Sequence, residues 1–282
     1  MVNEERQMSL SEPSNRPATT DTASKTAYLV MDSETIPDGM LVSAVKYPKE
    51  NLSPEAAIER AQAEAREKSW NQSEFLPLTY QIPVAICVIR VAADLTLQAM
   101  TCLDAPRFQP REIVRSFWSG MAHYSKAKLV TFNGRGFDIP LLELAAFRYG
   151  YTFKEHYQNN RNRYYGSIDL LEFFGNYGAC RVEGGLNLLA KLIGMPGKTD
   201  IKGEDVYRMY LEGKYQEIND YCLFDTIDTY IVFLRSRILT GEITKEQYDD
   251  LKAKARVFLE AKIADFPALR KYLDQWSEFQ SP

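Results

Sequence analysis

The sequence is poor in the residues that hold soft metals or form disulfides. Its 282 residues include two histidines, whereas zinc hydrolases usually draw several ligands from histidine. No two of its four cysteines have the close spacing of a zinc or redox pair: Cys87, Cys102, Cys180 and Cys222. We therefore interpret the thiols as reduced packing residues of a cytosolic protein.

Long apolar runs are also missing. No window approaches the ~18 uninterrupted apolar residues that a membrane-spanning helix needs. Residues 1–26 carry acids and no apolar stretch, so they predict neither a secretory signal nor a transit peptide, and we interpret them as a flexible tail. We expect a cytoplasmic protein that does not bind a membrane.

An excess of positive charge is absent as well. The net charge is −4 and the pI is near 5.5. Strong non-specific binding to duplex DNA needs many phosphate contacts from Lys and Arg, so this class of protein is disfavoured. An enzyme that holds a few nucleotides in a local groove remains compatible with the charge.

The remaining pattern alternates apolar strands with amphipathic helices. Strands are predicted over 27–35, 82–92, 95–103, 128–132 and 167–170, and helices over 111–126 and 139–150, from position 54 and from position 185 onward. Residues 36–52 are predicted to be a loop. This order indicates an α/β layer architecture with a mixed sheet.

Two carboxylates end the first strand. Asp32 and Glu34 are two residues apart, so their side chains point to the same face of the strand. Acids placed together repel unless a cation lies between them, so a metal site is one interpretation of this pair, for which the pair alone is weak evidence. The alternative is a solvated strand end.

A second acid follows the fourth strand. Asp138 comes after the loop Asn133-Gly134-Arg135-Gly136-Phe137, whose glycines indicate a tight turn or a close approach to a ligand. Before Ile139 and Pro140, Asp138 is also a candidate helix N-cap.

A third acid lies in the helical stretch YCLFDTIDTYIVFLR. Tyr221 and Asp225 are four residues apart and share one helix face. The alternative places Asp225 on a solvated stripe beside Asp228.

Taken in order, these segments resemble the DEDD exonuclease superfamily in its tyrosine subgroup, and they are similar to the predicted 3′→5′ exonucleases related to the exonuclease domain of family-B DNA polymerases. The resemblance covers about residues 27–260, and its most specific pieces are TFNGRGFDIPLLELAAFRYG and YCLFDTIDTYIVFLR. It implies a ribonuclease-H-like mixed five-stranded sheet flanked by helices, with a helical C-terminal extension. It divides the chain into an exonuclease domain at 27–240, with a surface insertion at 45–80, and an extension at 241–282 packed on it.

The resemblance also implies the chemistry. Asp32, Glu34, Asp138 and Asp225 would ligate two divalent cations, Mg²⁺ or Mn²⁺, and Tyr221 would orient the attacking water. Hard cations of this kind prefer oxygen ligands. The substrate would be the 3′ end of single-stranded DNA, and the products nucleoside 5′-monophosphates. The chain carries no mark of an oligomeric state.

Other residues are candidates for secondary roles. Asn133 and Phe137 are predicted to contact the substrate, and Arg161 and Arg163, next to two tyrosines, to bind the strand by phosphate pairing and stacking. Asp169 is predicted to have a structural role more than a ligating one. Two other functions stay open: a 3′→5′ exoribonuclease, and a non-catalytic nucleic-acid-binding module that keeps the fold. A proofreading domain is disfavoured, because no polymerase segment is attached, but action in trans stays open.

Overall fold

A single mixed sheet forms the centre of the molecule. The computed structural model describes residues 25–70, 72–160, 166–197 and 203–276. Its five strands are β1 (Thr26–Pro37), β2 (Gln81–Ala92), β3 (Leu97–Cys102), β4 (Lys128–Thr131) and β5 (Ser167–Asp169). The predicted strands are therefore confirmed, with shifts of one or two residues at their ends.

The sheet has the order β3-β2-β1-β4-β5. The first three strands in the chain form an antiparallel meander, with Asp32 opposite Cys87 and Cys87 opposite Cys102. β4 runs parallel to β1 and β5 parallel to β4. The central strand β1 therefore brings its acids to the edge where β4 and β5 also end. The predicted mixed five-stranded sheet is confirmed.

Helices cover both faces of the sheet. They are α1 (Gly39–Lys46), α2 (Pro54–Lys68), α3 (Pro110–His123), α4 (Asp138–Tyr149), α5 (Leu170–Phe174), α6 (Gly185–Leu192), α7 (Val206–Leu211), α8 (Tyr215–Leu239), α9 (Lys245–Ala261) and α10 (Leu269–Asp274). The Tyr28 ring contacts Phe233 of α8, at 5.0 Å between centroids. Leu29, the next residue, lines a cavity with Phe117 of α3, and Trp118 of α3 donates to the Leu142 carbonyl of α4. Between Tyr28 and Glu34, where the register with β2 is unbroken, even-numbered side chains of β1 thus face α8 and odd-numbered ones face α3 and α4.

The segment 36–52 is not simply a loop. β1 continues to Pro37 and α1 follows at Gly39, capped by the Asp38 side chain, which accepts a hydrogen bond from the Leu41 amide at 3.1 Å. Asp38 also pairs with Arg148 of α4. A distant ion pair therefore holds the N-terminus of α1, which local sequence patterns do not reveal.

Residues 38–80, called the β1–β2 insertion below, leave the sheet and return to it. The insertion has a small core of its own, formed by Val42, Tyr47, Ala57, Ala61 and Leu76. The predicted start of α2 is confirmed, because the Ser53 hydroxyl accepts from the Ala56 amide and Pro54 lies in the first turn. The insertion begins at the end of the strand that carries Asp32 and Glu34.

The C-terminal helices contribute to the main core. From position 185 onward, the described residues form helices and connecting turns, with no strand. Every residue from 221 to 234 in α8 is buried, and Tyr272 of α10 donates to the buried Asp228 of α8 at 2.6 Å. The capping box of Thr244 and Gln247 at the start of α9 is confirmed. The division into a domain and an extension stays a prediction.

Three of the four cysteines are packing residues, as predicted. Cys87, Cys102 and Cys222 are buried thiols, but Cys180 is exposed and the prediction is wrong there. Within the described part of the chain, no helix is both long enough and apolar enough to cross a bilayer.

Candidate active site

Three acids from two elements meet on the α8 side of the sheet. Asp32 and Glu34 come from β1 and Asp225 from α8, and one carboxylate oxygen from each lies within 4.8 Å of the others. Asp32 and Glu34 are half-buried and Asp225 is buried. We call these three residues the acid cluster. Three carboxylates at this spacing repel one another strongly unless a cation or protons neutralise them.

Tyr221 lies beside the acid cluster. It is one turn before Asp225 on α8, and the two side chains are hydrogen-bonded. Burial, followed by the negative charges of Asp225, Glu34 and Asp32, raises the pKa of Tyr221 well above its ordinary value. The phenol therefore stays protonated and keeps an O–H group to donate at the edge of the cluster.

A neutral thiol contacts the backbone of the acid cluster. Cys222 donates its S–H to the backbone carbonyl of Asp32, at 3.3 Å between Sγ and O. Burial and the charges of Asp32 and Glu34 raise the pKa of the Cys222 thiol to about 12. Only the thiolate is a good metal ligand, so the site offers oxygen donors, which suit Mg²⁺ or Mn²⁺ better than zinc.

Asp138 lies on the other side of β1. It is the first residue of α4, and no side chain caps this helix, so the interpretation of Asp138 as an N-cap is wrong. Its buried carboxylate accepts a hydrogen bond from the hydroxyl of Ser33. Because Ser33 stands between Asp32 and Glu34, it points away from them. The structure therefore groups three of the four predicted acids, and the ligand role of Asp138 stays a prediction.

The surroundings of Asp138 favour its neutral form. Burial and the nearby charge of Asp169 raise its pKa to about 6, and the hydrogen bond from Ser33 opposes this shift in part.

The loop before Asp138 is a tight turn stabilised by Asp169. The Asp169 carboxylate accepts from the amides of Asn133 at 2.9 Å and Arg135 at 3.0 Å, and it caps α5 through the Leu171 amide at 3.0 Å. A Cβ on Gly134 would lie 2.2 Å from Oγ1 of Thr131, so only glycine fits there. Asp169 thus has the structural role that the sequence favoured.

The predicted substrate contacts lie in different places. Phe137 is half-buried and its ring contacts Phe75 of the insertion. Asn133 is exposed, in the left-handed region at φ 65°, and lines a cavity of about 470 Å³ with Arg135 and His156. Arg161 and Arg163 lie outside the described residues.

Three residues near the site were not foreseen from the sequence. Strand alternation places the Ser33 side chain on the face of β1 opposite to Asp32 and Glu34, but it does not show which residue contacts Ser33 there. Cys222 follows Tyr221 in the same motif, yet its contact with Asp32 depends on how α8 crosses β1. Phe75 comes from the insertion, and no motif marks it.

Comparison with known proteins gives a weak structural likeness. The family B DNA polymerase from the hyperthermophilic archaeon Pyrobaculum calidifontis matches with a TM-score of 0.47 and 15% sequence identity, over 76% of this chain and 24% of the polymerase. The chain thus spans about a quarter of that polymerase. No curated protein matches the sequence.

A family model accounts for most of the chain. It is described as a predicted 3′-5′ exonuclease related to the exonuclease domain of PolB, and it matches residues 73–276, which include Asp138, Tyr221 and Asp225. The first strand with Asp32 and Glu34 lies before the matched region. The chain belongs to this family of predicted 3′–5′ exonucleases.

Proposed function

We propose that the protein is a two-metal-ion 3′→5′ exonuclease that hydrolyses phosphodiester bonds at the 3′ end of single-stranded DNA and releases nucleoside 5′-monophosphates. The observation that carries this proposal is the acid cluster of Asp32, Glu34 and Asp225, whose oxygens lie within 4.8 Å of one another beside the Tyr221 hydroxyl. Family membership supplies the reaction class.

The residues present fit divalent cations. The cluster offers carboxylate oxygens, the ligands that Mg²⁺ and Mn²⁺ prefer, and the adjacent Cys222 thiol is neutral. When bound, such ions supply a nucleophile at neutral pH and stabilise the charge that develops on the phosphodiester. Asp32 and Glu34 would hold them from the rigid centre of the sheet, and Asp225 from the buried helix.

Tyr221 would act on the attacking water. Its hydroxyl stays protonated because burial and three nearby acids raise its pKa. It can therefore hold the water by a hydrogen bond in line with the phosphorus while the bond from phosphorus to the 3′-oxygen breaks. The water gives one proton to solvent, and its oxygen stays on the released 5′-phosphate. The 3′-oxygen of the shortened strand takes a proton from solvent.

Asp138 would complete the ligand set in the substrate complex. In the structure its carboxylate is hydrogen-bonded to Ser33, so it must leave this partner to reach the cluster. Positive charge at the cluster would favour that change, because it stabilises the ionised carboxylate. Catalytic contacts that are long in a free enzyme often shorten when substrate binds.

A 5′-labelled oligonucleotide tests the proposal. With Mg²⁺ or Mn²⁺, a single-stranded DNA should give a descending ladder, and a chelator should stop it. Glu34→Gln is the matched inactive variant, since it keeps size and removes one negative charge from the cluster. Cleavage of circular single strands, or full activity in excess chelator, would contradict the mechanism. Faster hydrolysis of RNA than of DNA would assign the enzyme as an exoribonuclease.

A further inference from the structure

An exposed aromatic ring from the β1–β2 insertion lies beside the candidate site. Phe75 is 47% exposed. It takes no part in the small core of the insertion, although its neighbour Leu76 is 2% exposed and belongs to that core. A large apolar side chain in this position has no evident packing role within the insertion.

Two contacts place Phe75 near residues that adjoin the candidate acids in the chain. Its ring centroid lies 5.9 Å from that of Phe137, with the rings tilted by 44°, and Phe137 immediately precedes Asp138. Phe75 also lines a small cavity together with Thr35, the residue after Glu34. Phe75 therefore lies close to the end of β1, through Thr35, and to the loop that follows β4, through Phe137.

The backbone around Phe75 is fixed although its ring is exposed. The Phe75 amide donates to Oγ of Ser73 at 3.2 Å, and the Leu76 carbonyl accepts from the Gln81 side chain at 3.0 Å. Gln81 opens β2 and pairs with Pro37 at the end of β1. A ring held in place before binding loses little conformational entropy when it contacts a ligand.

We propose that Phe75, together with Phe137, forms a stacking platform for a base near the 3′ end of the bound strand. The inference rests on the proposed function and adds the insertion to the substrate site. Every base has an apolar face, so aromatic stacking binds single strands with little sequence preference. The net charge of −4 limits binding by phosphate contacts, which depend on Lys and Arg. Stacking then provides a larger share of the affinity.

The test combines a variant with a scan of the substrate. The substrates are single strands of DNA, each with one abasic residue, and this residue lies one position further from the 3′ end in each successive substrate. For every substrate, kcat/KM is measured with Mn²⁺ for the wild type, Phe75→Ala and Phe75→Trp. Phe147→Ala is the matched control, because Phe147 is 87% exposed on α4 and lies about 13 Å of helical rise from Asp138. Melting temperatures show that each variant is folded.

With an intact strand, Phe75→Ala should lower kcat/KM by about 5- to 150-fold, the range of one lost stacking contact, while Phe147→Ala and Phe75→Trp stay close to the wild type. An abasic residue at one position should slow the wild type by a similar factor and leave Phe75→Ala unaffected. If the wild type is active and Phe75→Ala behaves like Phe147→Ala, the platform is refuted and the exonuclease stands. If the folded wild type hydrolyses no strand, the proposed function fails and the platform with it.

Discussion

Replacing Asp225 by asparagine should stabilise the metal-free protein. The oxygens of Asp32, Glu34 and Asp225 lie within 4.8 Å of one another. Two unit charges at this separation repel by about 1 kcal/mol at the dielectric constant of water and by about 3.5 kcal/mol at the value of 20 that suits a protein surface. Asp225 takes part in two such pairs, so Asp225→Asn removes about 2–7 kcal/mol of repulsion.

The substitution keeps the other contacts of position 225. An asparagine oxygen still accepts a hydrogen bond from Tyr221, and the side chain has nearly the same size. For a domain of this length, each kcal/mol changes the melting temperature by about 2–4 °C, so in chelator Asp225→Asn should melt about 4 °C or more above the wild type. Differential scanning calorimetry measures this directly.

Divalent metal should reduce the difference between the two proteins. At a concentration 100 times its dissociation constant, a ligand of the folded state stabilises it by about 2.7 kcal/mol, which raises the melting temperature of the wild type by about 5–10 °C. Asp225→Asn should gain much less, since one carboxylate ligand is gone. The matched control Asp220→Asn, on the same helix but outside the cluster, should respond to metal as the wild type does. A variant that is less stable in chelator and keeps the whole gain from Mn²⁺ would refute the metal site.

Four further predictions follow from contacts of single side chains. Asp138→Ala should lower turnover by about 100-fold or more if Asp138 becomes a ligand, whereas Ser33→Ala should keep the wild-type rate; equal losses in both variants would make Asp138 a purely structural partner of Ser33. The pKa of Asp138 rises from 3.8 to about 6 in the folded protein, so between these values the folded metal-free state binds more protons than the unfolded state. Its free energy of unfolding should then fall by about 3 kcal/mol as the pH rises from about 4 to 7, and urea titrations should show a flatter dependence for Asp138→Asn. Tyr221→Phe should reduce turnover, by up to about 10²–10⁴-fold, with little change in oligonucleotide binding; a wild-type rate with a lower melting temperature would make it a packing residue. Tyr272→Phe should cost about 1–3 kcal/mol of stability by removing the hydrogen-bond donor of buried Asp228, and an unchanged melting temperature would contradict this.

The sequence predicted the sheet because its strands are apolar runs bounded by turn residues. It also predicted that Asp32 and Glu34 share a face, since strand geometry alternates strictly. For Tyr221 and Asp225, helical spacing led to the same kind of conclusion. In each case the decisive geometry is local, with a period of two or four residues.

Contacts between distant segments were not predictable in this way. Helix α1 falls in a segment predicted to be a loop, and its N-terminus depends on Asp38, which pairs with Arg148. Asp138 contacts Ser33 because α4 covers the face of β1 from which the Ser33 side chain points. No local sequence pattern shows which face of β1 a helix will cover. The family resemblance assigns all four acids to one metal site, whereas in the structure only Asp32, Glu34 and Asp225 lie together.

The burial of α8 has a consequence for the order in which parts of the molecule open. Every residue from 221 to 234 is buried, and β1 lies in the middle of the sheet. Amide hydrogens in such elements exchange with solvent only through global unfolding, while exposed segments open locally at much lower free energy. Tyr221 and the acid cluster should therefore retain their arrangement until the whole fold is lost, so that heat abolishes catalysis and structure in one transition. The β1–β2 insertion has a much smaller core, so hydrogen exchange should show it opening at a lower free energy than β1 and α8.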